Sequence, residues 1–123
     1  MGLYKKIALI TSEYDRVDIM DEMIDRYGNL PLPVQNLLMI SLIRANALSC
    51  GIHTLEQDGM NIKFYPEKID IDIWSELSDV SGDRLKMVMA SKTYVNLKLK
   101  KEDNALKLIN SLLEKYLELK QKT

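Results

Sequence analysis

The sequence has one cysteine, Cys50, one histidine, His53, and only short apolar runs such as Leu37–Ile40. A lone cysteine excludes an internal disulfide and suits a reducing compartment. Runs this short cannot cross a bilayer, and the first residues lack the apolar core of a signal peptide. The expected location is therefore the cytoplasm. Cys50 and His53 together supply at most half of a structural metal set. A cysteine with a single histidine also lacks the partners of a nucleophilic triad. Walker A, GxGxxG, HExxH and CxxC patterns are absent, so nucleotide, dinucleotide, zinc-protease and redox readings lose their usual anchors. The 17 basic and 18 acidic residues leave a net charge of −1, without the basic excess of a nucleic-acid-binding domain. One phenylalanine and one tryptophan stand against seven methionines, which points to an adaptable core with few aromatic anchors.

What is present is ordinary for a globular chain. The 123 residues, 46% apolar and 28% charged, fit a single domain spanning residues 1–123. A chain of this length buries about two-thirds of its unfolded surface, enough for a core. Leu3 to about Ile10 reads as a short helix, with Tyr4, Ile7 and Ala8 at helical spacing and Lys5 and Lys6 outside. It begins almost at residue 1, which suggests a piece of a longer chain. Thr11-Ser12-Glu13 is a break with capping potential.

Asp15–Tyr27 is the clearest helix. Val17, Ile19, Met20, Met23, Ile24 and Tyr27 occupy one half of its wheel. Asp15, Asp18, Asp21, Glu22, Asp25 and Arg26 occupy the other. Gly28 is placed to end it with a positive φ. Pro31 and Pro33 cannot continue that helix, but either fits the first turn of the next. Pro33–Ser49 is apolar nearly all round, as a buried central helix is, and should end near Gly51.

Ile52–Gln57 and Asn61–Tyr65 flank Asp58-Gly59, a type I′ hairpin signal, and Pro66 ends the unit. Ile69–Asp79 is ambiguous between strand and helix; a helix from about Asp72 is favoured by Ile73, Trp74 and Leu77. After Gly82, the alternation of Leu85, Met87 and Met89, then of Val95, Leu97 and Leu99, predicts a second hairpin turning near Ser91-Lys92. Asp103 to about Lys120 is the last helix, and residues 121–123 should fray. The pattern predicts an α+β fold, with N-terminal helices and a C-terminal helix packed on an antiparallel sheet of two hairpins.

The carboxylates of the Asp15–Tyr27 helix are the main candidate site. Glu22 and Asp25 share a face. Acid–base work would need burial to split their pKa values, and they sit among other acids on the polar side. A solvated face is the plain reading; docking of a basic partner is the sharper one. Arg26 can pair with Glu22 one turn away, worth about 0.3–0.5 kcal/mol. Lys98, Lys100, Lys101 and Lys107 form a modest basic cluster, by default a solvated edge and otherwise a phosphate contact. Trp74 suits a core or interface anchor better than a base-stacking platform. His53 reads as a surface or structural residue.

The residues Tyr4-Lys5-Lys6-Ile7-Ala8, Asp21-Glu22-Met23-Ile24-Asp25-Arg26-Tyr27-Gly28, Leu30-Pro31, Val34 and Asn36-Leu37-Leu38 carry a resemblance. The run is similar to the C-terminal domain of bacterial transcription-repair coupling factors, the Mfd family. Its spacing matches without a gap from Tyr4 to about Gly51, and the remainder agrees in order of elements. Met23 stands where the family has leucine and Tyr27 where it has phenylalanine, both expected on a packing face. The resemblance implies a parent that is an ATP-driven DNA translocase. That parent displaces stalled RNA polymerase and recruits UvrA for nucleotide excision repair. It implies that this domain has no cofactor of its own, ATP and Mg belonging to the parent. It implies an autoinhibitory role, clamping the parent's UvrB-like N-terminal module, masking UvrA binding and restraining the motor. The family's acidic docking residues fall on Glu22 and Asp25, with Asp18, Asp21 and Arg26 in supporting positions. RNA polymerase and DNA are then indirect partners. Competing readings are a nucleic-acid contact module using the last hairpin and helix, a small hydrolase using Glu22 and Asp25, and a scaffold that only stabilises its neighbour.

Overall fold

The structure, a computed structural model, describes residues 2–122, with the side chains of residues 5–82 and 84–122. The chain forms α1 (Gly2–Ala8), α2 (Glu13–Tyr27), α3 (Leu32–Ser49), β1 (Ile52–Asp58), β2 (Asn61–Pro66), α4 (Ile71–Ser81), β3 (Leu85–Met89), β4 (Thr93–Lys98) and α5 (Ala105–Lys122). A short 3-10 turn, Gly82–Arg84, joins α4 to β3. No helix among the described residues is long and apolar enough to cross a membrane.

Side-chain caps decide where α2, α4 and α5 start. Ser12 Oγ accepts the Asp15 N–H (3.1 Å), while the Asp15 carboxylate accepts the N–H (3.1 Å) and hydroxyl (3.0 Å) of Thr11. This reciprocal cap starts α2 at Glu13, earlier than the apolar periodicity alone indicates. Gly28 ends it with φ +79° and donates to the Ile24 carbonyl at 2.8 Å. Asp70 caps α4 through the Ile73 N–H at 3.2 Å, which settles the ambiguous Ile69–Asp79 stretch as helix. Asn104 accepts the Lys107 N–H at 3.1 Å, so α5 begins at Ala105 rather than Asp103. Asp103 is occupied elsewhere, accepting the Lys100 N–H at 2.7 Å and pairing with Arg84. α5 continues through Lys122, beyond the expected frayed start at Gln121. Thr123 lies outside the described residues, as does the side chain of Tyr4. On α1, Ile7 is buried and Ala8 exposed; the neighbouring buried residue is Ile10, past the helix end.

The sheet order is β1-β2-β4-β3, with every neighbouring pair antiparallel. In the first hairpin Asp58 pairs with Asn61, so the turn residues are Gly59 and Met60. Gly59 has φ +60° and among the described residues no non-glycine has a positive φ, which fits type II′ rather than the expected type I′. Type I′ requires positive φ at both central residues, which Met60 does not adopt.

Two cores share one helix. The larger contains Ile62, Phe64, Val95 and Leu97 of the sheet, Trp74 and Leu77 of α4, and Leu113 and Tyr116 of α5. The smaller gathers Ile7, Ile10, Ile19 and Met23 from the N-terminal segment. α3 gives Leu38 and Leu42 to the smaller, and Ile43 and Ala47 to the larger. Its remaining apolar residues correct the expectation of complete burial: Leu37, Ile40 and Leu48 are exposed beside Arg44, because two cores cover only two sides of the helix. Trp74 is fully buried, its ring 6.0 Å from Phe64 and 5.1 Å from Tyr116, as a core anchor.

One buried polar contact crosses from α3 to α5. Asn46 Nδ2 donates to Asn110 Oδ1 at 2.8 Å, and Asn110 Nδ2 donates to Glu114 Oε1 at 3.0 Å. Each amide is 7% exposed. Asn46→Leu alone should destabilise the fold by about 1–3 kcal/mol, because it strands the Asn110 carbonyl. The double change Asn46→Leu/Asn110→Leu should cost less than the sum of the single changes. Urea unfolding of the four proteins checks this; additivity would contradict it.

Acid sensitivity follows from the capping carboxylates. Asp103 is held below the ordinary carboxylate range by the Lys100 N–H and then by Arg84. Asp15 is held low by the Thr11 N–H and hydroxyl. Their contribution is complete above the unfolded-state value, about pH 4, and is lost as pH falls through the lowered folded values. Unfolding free energy should therefore fall below about pH 4. The decline should be shallower in Asp103→Asn; parallel profiles would contradict the assignment.

Candidate protein-docking site

Helix α2 has a covered side and a free side. Ile19 and Met23 are buried against α3 and α1, and Met20 is half-buried. The opposite side carries Asp18, Asp21 and Asp25, all exposed, and among the described residues none of them makes an ion pair. At helical spacing this stripe is edged by Tyr14, Val17 and Ile24, which are 79%, 36% and 41% exposed. The sequence reading put Val17, Ile24 and Tyr27 on the packing half. The structure corrects this, since α2 touches its neighbours along a stripe narrower than half the wheel. Tyr27, 65% exposed at the helix end, does not stand on a packing face.

Glu22 sits at the rim of the stripe and is half-buried. The expected Arg26 pair is present at 3.6 Å. A closer partner comes from α1: Lys6 Nζ lies 2.8 and 3.0 Å from the two carboxylate oxygens. The Lys6 hydrogen bonds hold the Glu22 carboxyl below its ordinary range. That shift is opposite to what a general acid needs. Arg16 pairs with Glu13 and so stands apart from the stripe. Asp18, Asp21, Glu22 and Asp25 line one shallow concavity, and Asp18 and Glu22 also border a second with Lys6 and Leu9. The structure thus brings together the four carboxylates singled out in the sequence. It adds Lys6, sixteen positions away, and the apolar edge of Tyr14, Val17 and Ile24. Lys6 carries no local sequence signal; Val17 and Ile24 were visible but assigned to the wrong side.

The other candidates separate. Cys50 is buried, with its Sγ 3.6 Å from the Leu113 carbonyl, and burial pushes its thiol pKa up to about 12. Such a thiol is inert at neutral pH. His53 is exposed, its Nδ1 2.7 Å from the Thr54 hydroxyl. No cluster of metal-ligating side chains occurs among the described residues. Lys98 lies at the end of β4, Lys100 and Lys101 in the following turn, and Lys107 in the first turn of α5. They are exposed and spread over three elements rather than gathered on one.

Comparison with known proteins agrees with this architecture. The family model described as the TRCF domain matches residues 1–74. The transcription-repair-coupling factor of Rickettsia conorii is 34% identical over 117 residues, covering 94% of this chain but 9% of that protein. The Escherichia coli K12 transcription-repair-coupling factor is 41% identical over 56 residues, 46% of this chain and 5% of that protein. The chain therefore spans less than a tenth of the length of these relatives. The crystal structure of a C-terminal domain of transcription-repair coupling factor superposes with a TM-score of 0.80 at 22% identity. That superposition covers 99% of this chain and 81% of the other, so the fold is shared over nearly all of this chain. The chain belongs to the TRCF domain family, that of the C-terminal domain of transcription-repair coupling factors.

Proposed function

We propose that this chain is an autoinhibitory docking domain, and that the free side of α2 is its docking surface. The partner is the UvrB-like N-terminal module of the same parent. The parent is a cytoplasmic, ATP-driven DNA translocase that removes stalled RNA polymerase and recruits UvrA for nucleotide excision repair. Docked, the domain covers the UvrA-binding surface and restrains the motor. The ATP and Mg chemistry belongs to the parent, and this chain acts by binding alone. The observation that carries the reading is the stripe of Asp18, Asp21 and Asp25, exposed and unpaired among the described residues, with Val17 and Ile24 beside it. Unpaired carboxylates offer charge complementarity to arginines, and the apolar edge offers area to bury.

Glu22 and Asp25 differ in what they can offer. Asp25 is free to meet a cation of the partner, whereas Glu22 already holds Lys6 and Arg26. Ion pairs at a solvated rim are individually weak, about 0–1 kcal/mol, which suits a latch that must release. A ligand that binds the open state then shifts the population by its differential affinity for that state.

The test is titration of this chain into the separately produced UvrB-like module of its own parent. Binding should weaken with salt. Reversing both charges, Glu22→Arg/Asp25→Arg, should weaken it by about tenfold or more. Asp25→Asn should weaken it more than Glu22→Gln. Wild-type affinity in the double reversal would remove α2 as the docking surface.

A further inference from the structure

Among the described residues the helices pack on one face of the sheet or on one another, and none of them covers the second face. Residues that alternate with the buried Ile62, Phe64, Val95 and Leu97 populate it. The register sets them in rows. Lys63 of β2 pairs with Asn96 of β4, which pairs with Lys86 of β3, and Asn61 pairs with Lys98. Beside the lysine row lie Tyr65 and Tyr94, their ring centres 5.4 Å apart. Lys63 Nζ stands 5.4 Å from the centre of the Tyr94 ring.

We propose that this helix-free face binds single-stranded DNA, its bases on Tyr65 and Tyr94 and its phosphates on Lys63, Lys86 and Lys98.

Each part of that ligand has a partner of matching chemistry. The two tyrosines are half-buried side by side on neighbouring central strands, an aromatic platform on which bases can stack. Among the described residues the three lysines make no ion pair, so their charge is available to phosphate. The face's carboxylates, Glu56 and Asp58, are confined to the edge strand β1. Glu56 is used there, accepting from the Tyr65 hydroxyl at 3.2 Å, which fixes that ring. A duplex hides the faces of its bases, so it could use the lysines but not the tyrosines. An acidic peptide would have the same deficit. The amides of Asn61 and Asn96 bond to each other at 3.0 Å, so stacking and phosphate contact carry recognition. The net charge of −1 conceals this face because α2 concentrates the opposite sign on another part of the molecule.

The chain is titrated into a fluorescent oligothymidylate at low salt, with a duplex of equal length, an oligouridylate and a polyglutamate peptide as competitors. Oligothymidylate should bind, and should be displaced least by the duplex and the peptide. Tyr65→Leu/Tyr94→Leu should weaken binding by about thirtyfold or more. Lys63→Gln/Lys86→Gln/Lys98→Gln should flatten the logarithmic salt slope by about 0.7 per lysine. Far-ultraviolet circular dichroism and Trp74 emission report whether each variant folds, and the lysine variant stands if the tyrosine one does not. Absence of binding, equal affinity in the tyrosine variant, or an unchanged salt slope in the lysine variant would overturn the proposal. Preference for the duplex or the peptide would overturn it too, and preference for oligouridylate would reassign the face to RNA. None of these residues lies on α2, so the result is independent of the docking role.

Discussion

Helix α3 is the constraint on which the rest of this fold depends. Among the described residues it is the one element that both cores share, with Leu38 and Leu42 in one and Ile43 and Ala47 in the other. Met39 packs against both. A helix buried on two sides must be apolar on both of them, which explains Leu38, Met39, Leu42, Ile43 and Ala47. The Asn46–Asn110 amide pair then fixes how α3 lies along α5, since sliding either helix would leave a buried amide without its partner. Because α2 packs on the first half of α3, that alignment also sets the direction in which α2 presents its carboxylates.

The second organising feature is separation of charge. Near-neutral totals suggest an unremarkable surface, yet the carboxylates of α2 and the lysines of the open sheet face occupy different parts of the molecule. Local fields matter more than the sum for a docking surface, because screening removes most interactions beyond about 8–10 Å at physiological salt. A partner therefore meets a locally acidic helix or a locally basic sheet, and the two can work without opposing each other. The Lys6–Glu22 bridge limits the acidic side, tying α1 to α2 and neutralising the carboxylate nearest the core.

The local features were legible because local chemistry determines them. Ser12 caps α2, Gly28 ends it, and Asp58-Gly59 marks a hairpin. Boundaries moved where a polar side chain had two possible jobs: Asp103 turned out to serve the Lys100 turn, leaving the α5 cap to Asn104. Ile69, Ile71 and Ile73 alternate like a strand, but Ile71 is exposed and only Ile73 is buried, as the Asp70 cap and helical period require. Contacts between distant positions were not legible. Nothing near Lys6 announces Glu22, and nothing in the second hairpin alone places Tyr94 beside Tyr65. Hydrophobicity also overstated burial, because Val17, Ile24, Ile40 and Leu48 are apolar yet stand exposed.

The docking role of α2 is tested most directly in the intact parent, by measuring UvrA affinity with and without Glu22→Arg/Asp25→Arg. Opening of the latch predicts tighter UvrA binding in the variant, accompanied by a higher basal ATPase rate. Unchanged UvrA affinity, in a variant whose domain remains folded, would contradict it.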